Sequence, residues 1–112
     1  MDNSIKESLE HANKMRVFNN QLRLLKEKYL ERNIYFTIGH QFTINLQLIN
    51  YCITLKNQNK IKDVIMLDDY DLPVRIADLE IFYNNIMDLY QQNLNAYIVE
   101  YNALVQDKGR IY

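Results

Sequence analysis

Few side chains in this 112-residue chain are of a type that could bind a metal ion or form a covalent intermediate. The imidazole and thiol groups belong to His11, His40 and Cys52, and no two of them have the close spacing that a zinc site requires. His40 has no nucleophile or orienting carboxylate beside it, so we expect a solvated turn residue and not a catalytic base. Cys52 is expected to be a small buried apolar residue.

Two charged clusters could bind small ions or phosphate groups. The stretch LDDYDLP, residues 67–73, holds three carboxylates that could attract calcium, but it lacks the Gly and the distal Glu of an EF-hand loop. Aspartate is common in turns, and a turn is the favoured interpretation. Lys56, Lys60 and Lys62 could contact phosphate, although no aromatic residue is interleaved to stack a base. Without a glycine-rich phosphate loop or a hydrolase motif, we predict no enzyme and no cofactor.

Composition favours a helical chain with little net charge. Two Gly and one Pro leave few sites for sharp turns, and the net charge of −1 provides no general field for holding nucleic acid. A single cysteine allows no disulfide within the chain. No apolar stretch reaches the roughly 20 residues that would cross a bilayer. We therefore expect a protein made in the cytoplasm that has no membrane partner.

Residues 1–33 are predicted to form one long helix that serves in oligomerisation or docking. A heptad seam runs along it with spacings of 3, 4, 3 and 4. Its members are Met15, Phe18, Leu22, Leu25 and Tyr29. A helix of about 45 Å is longer than a small compact domain can cover, so the seam predicts a homo-oligomer interface. A bundle within one chain is the alternative, and dimer and trimer both remain open.

Residues 34–44 predict a β-hairpin. With Gly39-His40-Gln41 as a three-residue loop, four large apolar side chains would share one buried face. These are Phe36, Ile38, Phe42 and Ile44. A two-residue Gly-His turn would split them between the two faces, and burial favours the first arrangement. Asn45 is then expected to cap a helix that ends near Asn57.

The same unit repeats in residues 64–106. The strands VIML (64–67) and LPVRI (72–76) are joined by a four-residue turn, residues 68–71, and a long helix follows from about Asp78 to Gln106 and stops near Gly109. One face of this second hairpin would hold Ile65, Leu67, Leu72 and Val74. Because Pro73 cannot donate to a strand ladder, its strand is expected to be a sheet edge or to end early. The prediction is an α+β fold: a coiled-coil-like N-terminal helix, then a ββα-ββα domain over residues 34–112.

A tyrosine stripe along the last helix is the remaining candidate site. Its members recur at intervals of seven, seven and four residues: Tyr83, Tyr90, Tyr97 and Tyr101. Such a stripe is typical of a core edge or of a partner interface, because tyrosine combines rigid area with a hydrogen-bonding group. Both interpretations remain open.

Several segments, taken in order, resemble a small uncharacterised domain of tailed bacteriophages. The segments are Y-F-T-I-x-x-Q-F-T-I, then L-I-N, then D-V-I-M-L-x-x-Y-D-L-P-V-R-I, and I-M-D-L-Y-Q-Q-N-L-N-A-Y, within residues 28–106. That domain commonly lies at the C-terminal end of tail-fibre and related virion proteins. The resemblance implies a non-enzymatic structural protein of the virion that binds fibre, tail or capsid proteins. The alternative is an assembly chaperone, or a small regulatory or nucleic-acid-binding protein, that is absent from the mature particle.

Overall fold

A computed structural model describes the backbone of residues 3–111 and the side chains of residues 3–106. Three helices and four strands follow one another in the predicted α+β order, which confirms the fold class. The elements are α1 (Asn3–Arg32), β1 (Ile34–Thr37), β2 (His40–Thr43), α2 (Leu46–Asn57), β3 (Lys62–Leu67), β4 (Pro73–Asp78) and α3 (Leu79–Ile111). Residues 1 and 2 of the predicted N-terminal helix and residue 112 of the predicted ββα-ββα domain lie outside the described residues.

Strands β1 and β2 form the first hairpin, in a register that differs from the predicted one. Tyr35 pairs with Phe42 and Thr37 with His40, so the turn consists of Ile38 and Gly39 alone. The predicted four-residue apolar face is therefore wrong. Phe42 and Ile44 are buried, whereas Phe36 and Ile38 keep 70% and 72% of their surface exposed.

Turn geometry explains this register. Both turn residues have positive φ, 53° at Ile38 and 76° at Gly39, as the two-residue turn that matches strand twist requires. Positive φ is strained for a β-branched residue, at a cost of about 1–3 kcal/mol. Contacts between β2 and a distant loop, described below, offset this strain.

Helix α2 begins as predicted. The Asn45 side chain accepts a hydrogen bond from the Leu48 backbone N–H at 2.9 Å, and Asn45 itself has extended backbone angles. The helix ends at Asn57, also as predicted. Its buried residues Ile49, Cys52 and Leu55 recur at helical spacing and face the two hairpins.

Strands β3 and β4 form the second hairpin, again in an unpredicted register. Met66 pairs with Val74 and Leu67 with Pro73, so the connection spans residues 68–72. The predicted apolar face is wrong except for Val74, because Ile65, Leu67 and Leu72 are exposed. Val64, Met66, Val74 and Ile76 form the buried face instead. Pro73 begins β4 in a two-stranded sheet, where both strands are edges, as predicted.

One hydrophobic core joins the two hairpins, α2 and the first turns of α3; we call this part the head. Asp78 caps α3 through hydrogen bonds from the N–H groups of Glu80 and Ile81, and the helix continues through Gly109, which sequence placed at its end. The buried apolar residues are Phe42, Ile44, Ile49, Cys52, Leu55, Val64, Met66, Val74, Ile76, Leu79, Phe82 and Ile86. Phe82 contacts both Tyr35 and Phe42 edge to face, which joins the first hairpin to α3.

Beyond the head, α1 and the second half of α3 pair as a helical hairpin; we call this part the stalk. The pairing is antiparallel, since Arg32 contacts Asn93, Tyr29 contacts Tyr97 and Lys28 contacts Glu100. The molecule measures 71 × 24 × 22 Å, and its radius of gyration of 20.9 Å far exceeds the roughly 13 Å of a compact domain of this length. The stalk accounts for this elongation.

Candidate interaction surfaces

The heptad seam of α1 meets α3 of the same chain at Tyr29. Tyr29 lies on Tyr97 with ring centroids 4.5 Å apart, and Glu100 accepts hydrogen bonds from Arg32 at 3.0 Å and Lys28 at 3.3 Å. The five seam residues Met15, Phe18, Leu22, Leu25 and Tyr29 are half-buried. Along Asn3–Arg32 no side chain is fully buried. The last seam residue, Tyr29, therefore has a partner within the chain, and the other sides of α1 remain accessible.

A buried polar junction fixes the stalk to the head. Asn93 donates hydrogen bonds to the Arg32 carbonyl and to the Asn33 side chain, both at 2.8 Å, and both asparagines are buried. The Asn33 carbonyl also accepts a hydrogen bond from the Ile44 N–H. This small network connects the end of α1, the first hairpin and α3.

The structure divides the predicted tyrosine stripe. Tyr83 lies under the Lys56 ammonium group, 4.3 Å from its ring centroid, and Tyr97 is covered by Tyr29. Burial and a hydrogen bond with Tyr29 raise the pKa of the Tyr90 hydroxyl. Tyr101 is the most exposed of the four, with 41% of its surface accessible, and the other three are half-buried. The stripe is thus mainly a packing surface within the chain.

A second stripe on α3 is exposed, and sequence reasoning did not identify it. Its members are Leu94, Ile98, Tyr101 and Val105, which we call the α3 stripe. The last three are exposed, and Leu94 and Tyr101 line a shallow, almost wholly apolar groove of about 240 Å³ together with Tyr97 and Ile98. Spacings of 4, 3 and 4 place the stripe on one helix face, and this heptad spacing could have revealed it. An apolar stripe of this kind is typical of a helix-packing interface.

Contrary to prediction, His40 contacts a buried carboxylate. Its Nδ1 lies 2.7 Å from Asp68 Oδ2, and the Asp68 side chain is almost fully buried. The other Asp68 oxygen accepts hydrogen bonds from the Tyr70 and Leu72 N–H groups. The acidic loop, residues 68–71, is therefore held onto β2, and His40 serves as one of its contacts.

Asp69 makes the second attachment between the acidic loop and β2. Its N–H donates to the Gln41 carbonyl at 2.9 Å, and its carboxylate accepts from both the N–H and the hydroxyl of Thr43. Gln41 Nε2 donates to the same carboxylate at 2.9 Å. These bonds explain Asp68 and Asp69 as structural groups, in keeping with the turn interpretation.

Acid is expected to weaken this attachment. The hydrogen bond with His40, followed by those from Leu72 and Tyr70, holds the pKa of Asp68 below its usual 3.8, although burial acts in the opposite direction. Because the folded form binds its proton less readily, the stabilisation is complete above about pH 4 and is lost as pH falls through the lowered pKa. Thermal melts from pH 7 to pH 2.5 should therefore show Asp68→Asn melting lower at pH 7, with a difference from wild type that shrinks in acid. A difference that stays constant over this range would contradict the assignment.

Groups with chemical reactivity are sparse in the described part of the chain. Among residues 3–106 no three His, Cys, Asp or Glu side chains are placed to hold a metal ion. Burial raises the pKa of the Cys52 thiol to about 11, so very little thiolate forms at neutral pH. Lys56 covers Tyr83, and Lys62 pairs with Asp78 at 3.0 Å, so two of the three lysines considered for phosphate binding have partners within the chain.

Comparisons with known proteins add no family. Over the described residues no helix combines the length and apolar character needed to span a bilayer. The family models, the curated proteins and the solved structures that we searched contain no match to this chain. The resemblance to the bacteriophage domain therefore stays a prediction.

Proposed function

We propose that this protein is a non-enzymatic structural protein of a bacteriophage particle that self-associates through its stalk and binds fibre, tail or capsid proteins. The sequence resemblance supports the virion setting. The observation that supports self-association is the exposed α3 stripe, which lies on one of the two paired helices of the stalk. The partner that best fits this stripe is a stalk from a second copy.

Surface area supports an additional partner for the stalk. The single chain exposes 8,056 Å², whereas a compact protein of 13.5 kDa exposes about 6,500 Å². The excess is about 1,500 Å² per chain, and each partner in a standard protein interface buries about 800 Å². Two copies joined along their stalks would bury surface of this order.

Two stalks joined through their α3 stripes would form an antiparallel four-helix bundle. Between Asn93 and Gln106, the part of α3 that lies in the stalk, Glu100 is the one charged residue, and it already pairs with Arg32 and Lys28 of its own chain. The apolar stripe, and not charge, would therefore hold the two copies together.

Light scattering coupled to size exclusion, from 5 to 100 μM, tests the self-association. We expect wild type to elute as an oligomer, and Ile98→Asp with Tyr101→Asp to weaken association by about 100-fold or more, because two carboxylates would be buried without partners. Val99→Asp is the matched control, since Val99 is exposed on another face of the same helix. Circular dichroism verifies that each variant is folded. A monomeric wild type, or an equal effect of the control, would overturn the proposal.

The virion setting has a separate test. Mass spectrometry of purified particles should detect the chain at a fixed ratio to the other virion proteins. If the chain is made during infection and is absent from purified particles, it is an assembly factor and this part of the proposal fails.

A further inference from the structure

Strand β3 has one edge that β4 does not use. Asp68 N–H donates to the Leu72 carbonyl at 2.9 Å, and the register continues this ladder through Met66–Val74 and Val64–Ile76. In an antiparallel pair, alternate residues direct their N–H and C=O groups to opposite sides. Ile65 and Leu67 therefore direct theirs away from β4. Pro73 opposite Leu67 fits this alternation, because proline has no N–H to donate.

The corresponding edge of β2 is satisfied by another segment, whereas this edge of β3 is open. On β2, the Gln41 carbonyl and the Thr43 N–H both bond to Asp69. Within residues 3–111 no hydrogen bond from another element reaches the backbone of Ile65 or Leu67. An open edge of this kind is a template for one more strand.

A groove runs along this edge between β3 and α2; we call it the β3 groove. It consists of two depressions of about 510 and 540 Å³, and both are lined by Tyr51 of α2 and Ile65 of β3. Neither is lined by a residue of β4. The groove thus lies on the side where the backbone groups are open, and the exposed Tyr51 ring forms part of its wall.

The two ends of the β3 groove differ in charge. Lys60, Lys62 and Asp63 line the end where β3 begins, and Lys62 also pairs with Asp78. Three carboxylates, Asp68, Asp69 and Asp71, line the end where β3 finishes, so that end is the more negative of the two. A strand that runs antiparallel to β3 would start near the aspartates and finish near the lysines. Charge complementarity therefore favours a segment with basic residues before it and acidic residues after it.

We propose that the β3 groove binds an extended peptide segment of a partner protein, which adds to β3 as an antiparallel strand. The segment carries apolar or β-branched side chains between a basic N-terminal end and an acidic C-terminal end. A lone strand needs only the strand spacing of about 4.8 Å. A second copy is disfavoured as the occupant of the groove. If its β3 paired with this β3, its own α2, about 10 Å wide, would overlap the α2 that forms the groove wall. The groove is separate from the stalk, so the inference does not depend on self-association.

A peptide array tests this inference on the full-length chain. Each ten-residue peptide has two N-terminal lysines, two C-terminal glutamates and a varied centre of valine, isoleucine, threonine and tyrosine. We expect members of this array to bind at least 10-fold more tightly than matching peptides with the two charged ends exchanged. Failure of every member to bind at 1 mM, or equal binding of the exchanged peptides, overturns the proposal.

Amide hydrogen exchange of the complex with the tightest array peptide identifies the edge that is used. Peptide binding should slow exchange at Ile65 and Leu67, which direct their N–H groups into the groove. Val64 and Met66 already donate to β4 and should change little. Protection that spares Ile65 and Leu67 would show that the peptide binds elsewhere, and the proposal would be wrong.

Two variants complete the test. Tyr51→Ala removes part of the groove wall and should weaken peptide binding about 10-fold, whereas Ile53→Ala, on another face of α2, should not. The measurements are repeated on Ile98→Asp with Tyr101→Asp, so that peptide binding is measured whether or not the stalk associates. If Tyr51→Ala abolishes self-association and leaves peptide binding intact, a second copy occupies the groove and the proposal fails.

Discussion

Replacing Ile86 with alanine is expected to lower the free energy of unfolding by about 3–4 kcal/mol. The Ile86 side chain is completely buried, in the part of α3 that packs against both hairpins and α2. The substitution removes three carbon atoms from a filled core and leaves a cavity, and these two effects add. Urea unfolding followed by circular dichroism gives the change directly.

The same substitution at Ile81 is the matched control. Ile81 lies five residues earlier in α3 and is 60% exposed, so Ile81→Ala should change the free energy of unfolding by about 0.5 kcal/mol or less. Both variants make the same chemical change and share the same gain in helix propensity. Equal losses at the two positions would mean that the first turns of α3 do not pack as the core of the head.

Asn93→Ala is expected to cost about 1–3 kcal/mol, the cost of leaving buried polar groups without partners. The substitution deprives both the Arg32 carbonyl and the Asn33 side chain of their hydrogen-bond donor. Because these groups join α1 to α3, we expect amide exchange in α1 to accelerate more than exchange in the head. Asn95→Ala, exposed two residues further along, controls for the loss of an asparagine from the same helix. A matching loss at the two positions would contradict the junction.

Local signals were sufficient to predict the elements. The capping oxygen of Asn45, the few glycines and the β-branched runs act over a few residues, and the helices and strands that they favour are present in the predicted order. Both hairpin registers were predicted incorrectly. A register depends on which of two turns closes the strands, and each turn here includes a non-glycine residue with positive φ, Ile38 in the first and Asp71 in the second. Local propensity disfavours those conformations, so sequence reasoning gave them too little weight.

The candidate surfaces were predicted in part. The heptad spacing identified one face of α1, but it carries no information on whether α3 or another chain covers that face. The α3 stripe has the same kind of spacing as the seam. The spacing of the tyrosines instead indicated the neighbouring side of α3, where Tyr97 packs on Tyr29 of α1. The open edge of β3 could not be found without the register, since a slip of one residue exchanges the inward and outward backbone groups.

The sequence by itself determined the fold class and the element order, because these depend on residue types and short-range spacing. Only the tertiary structure decided which faces are covered. The acidic loop contacts β2 across 26 to 28 residues of sequence, and α1 contacts α3 across more than 60. Contacts at such separations are selected by the packing of the whole chain, and they determine which stripe and which strand edge remain open to a partner.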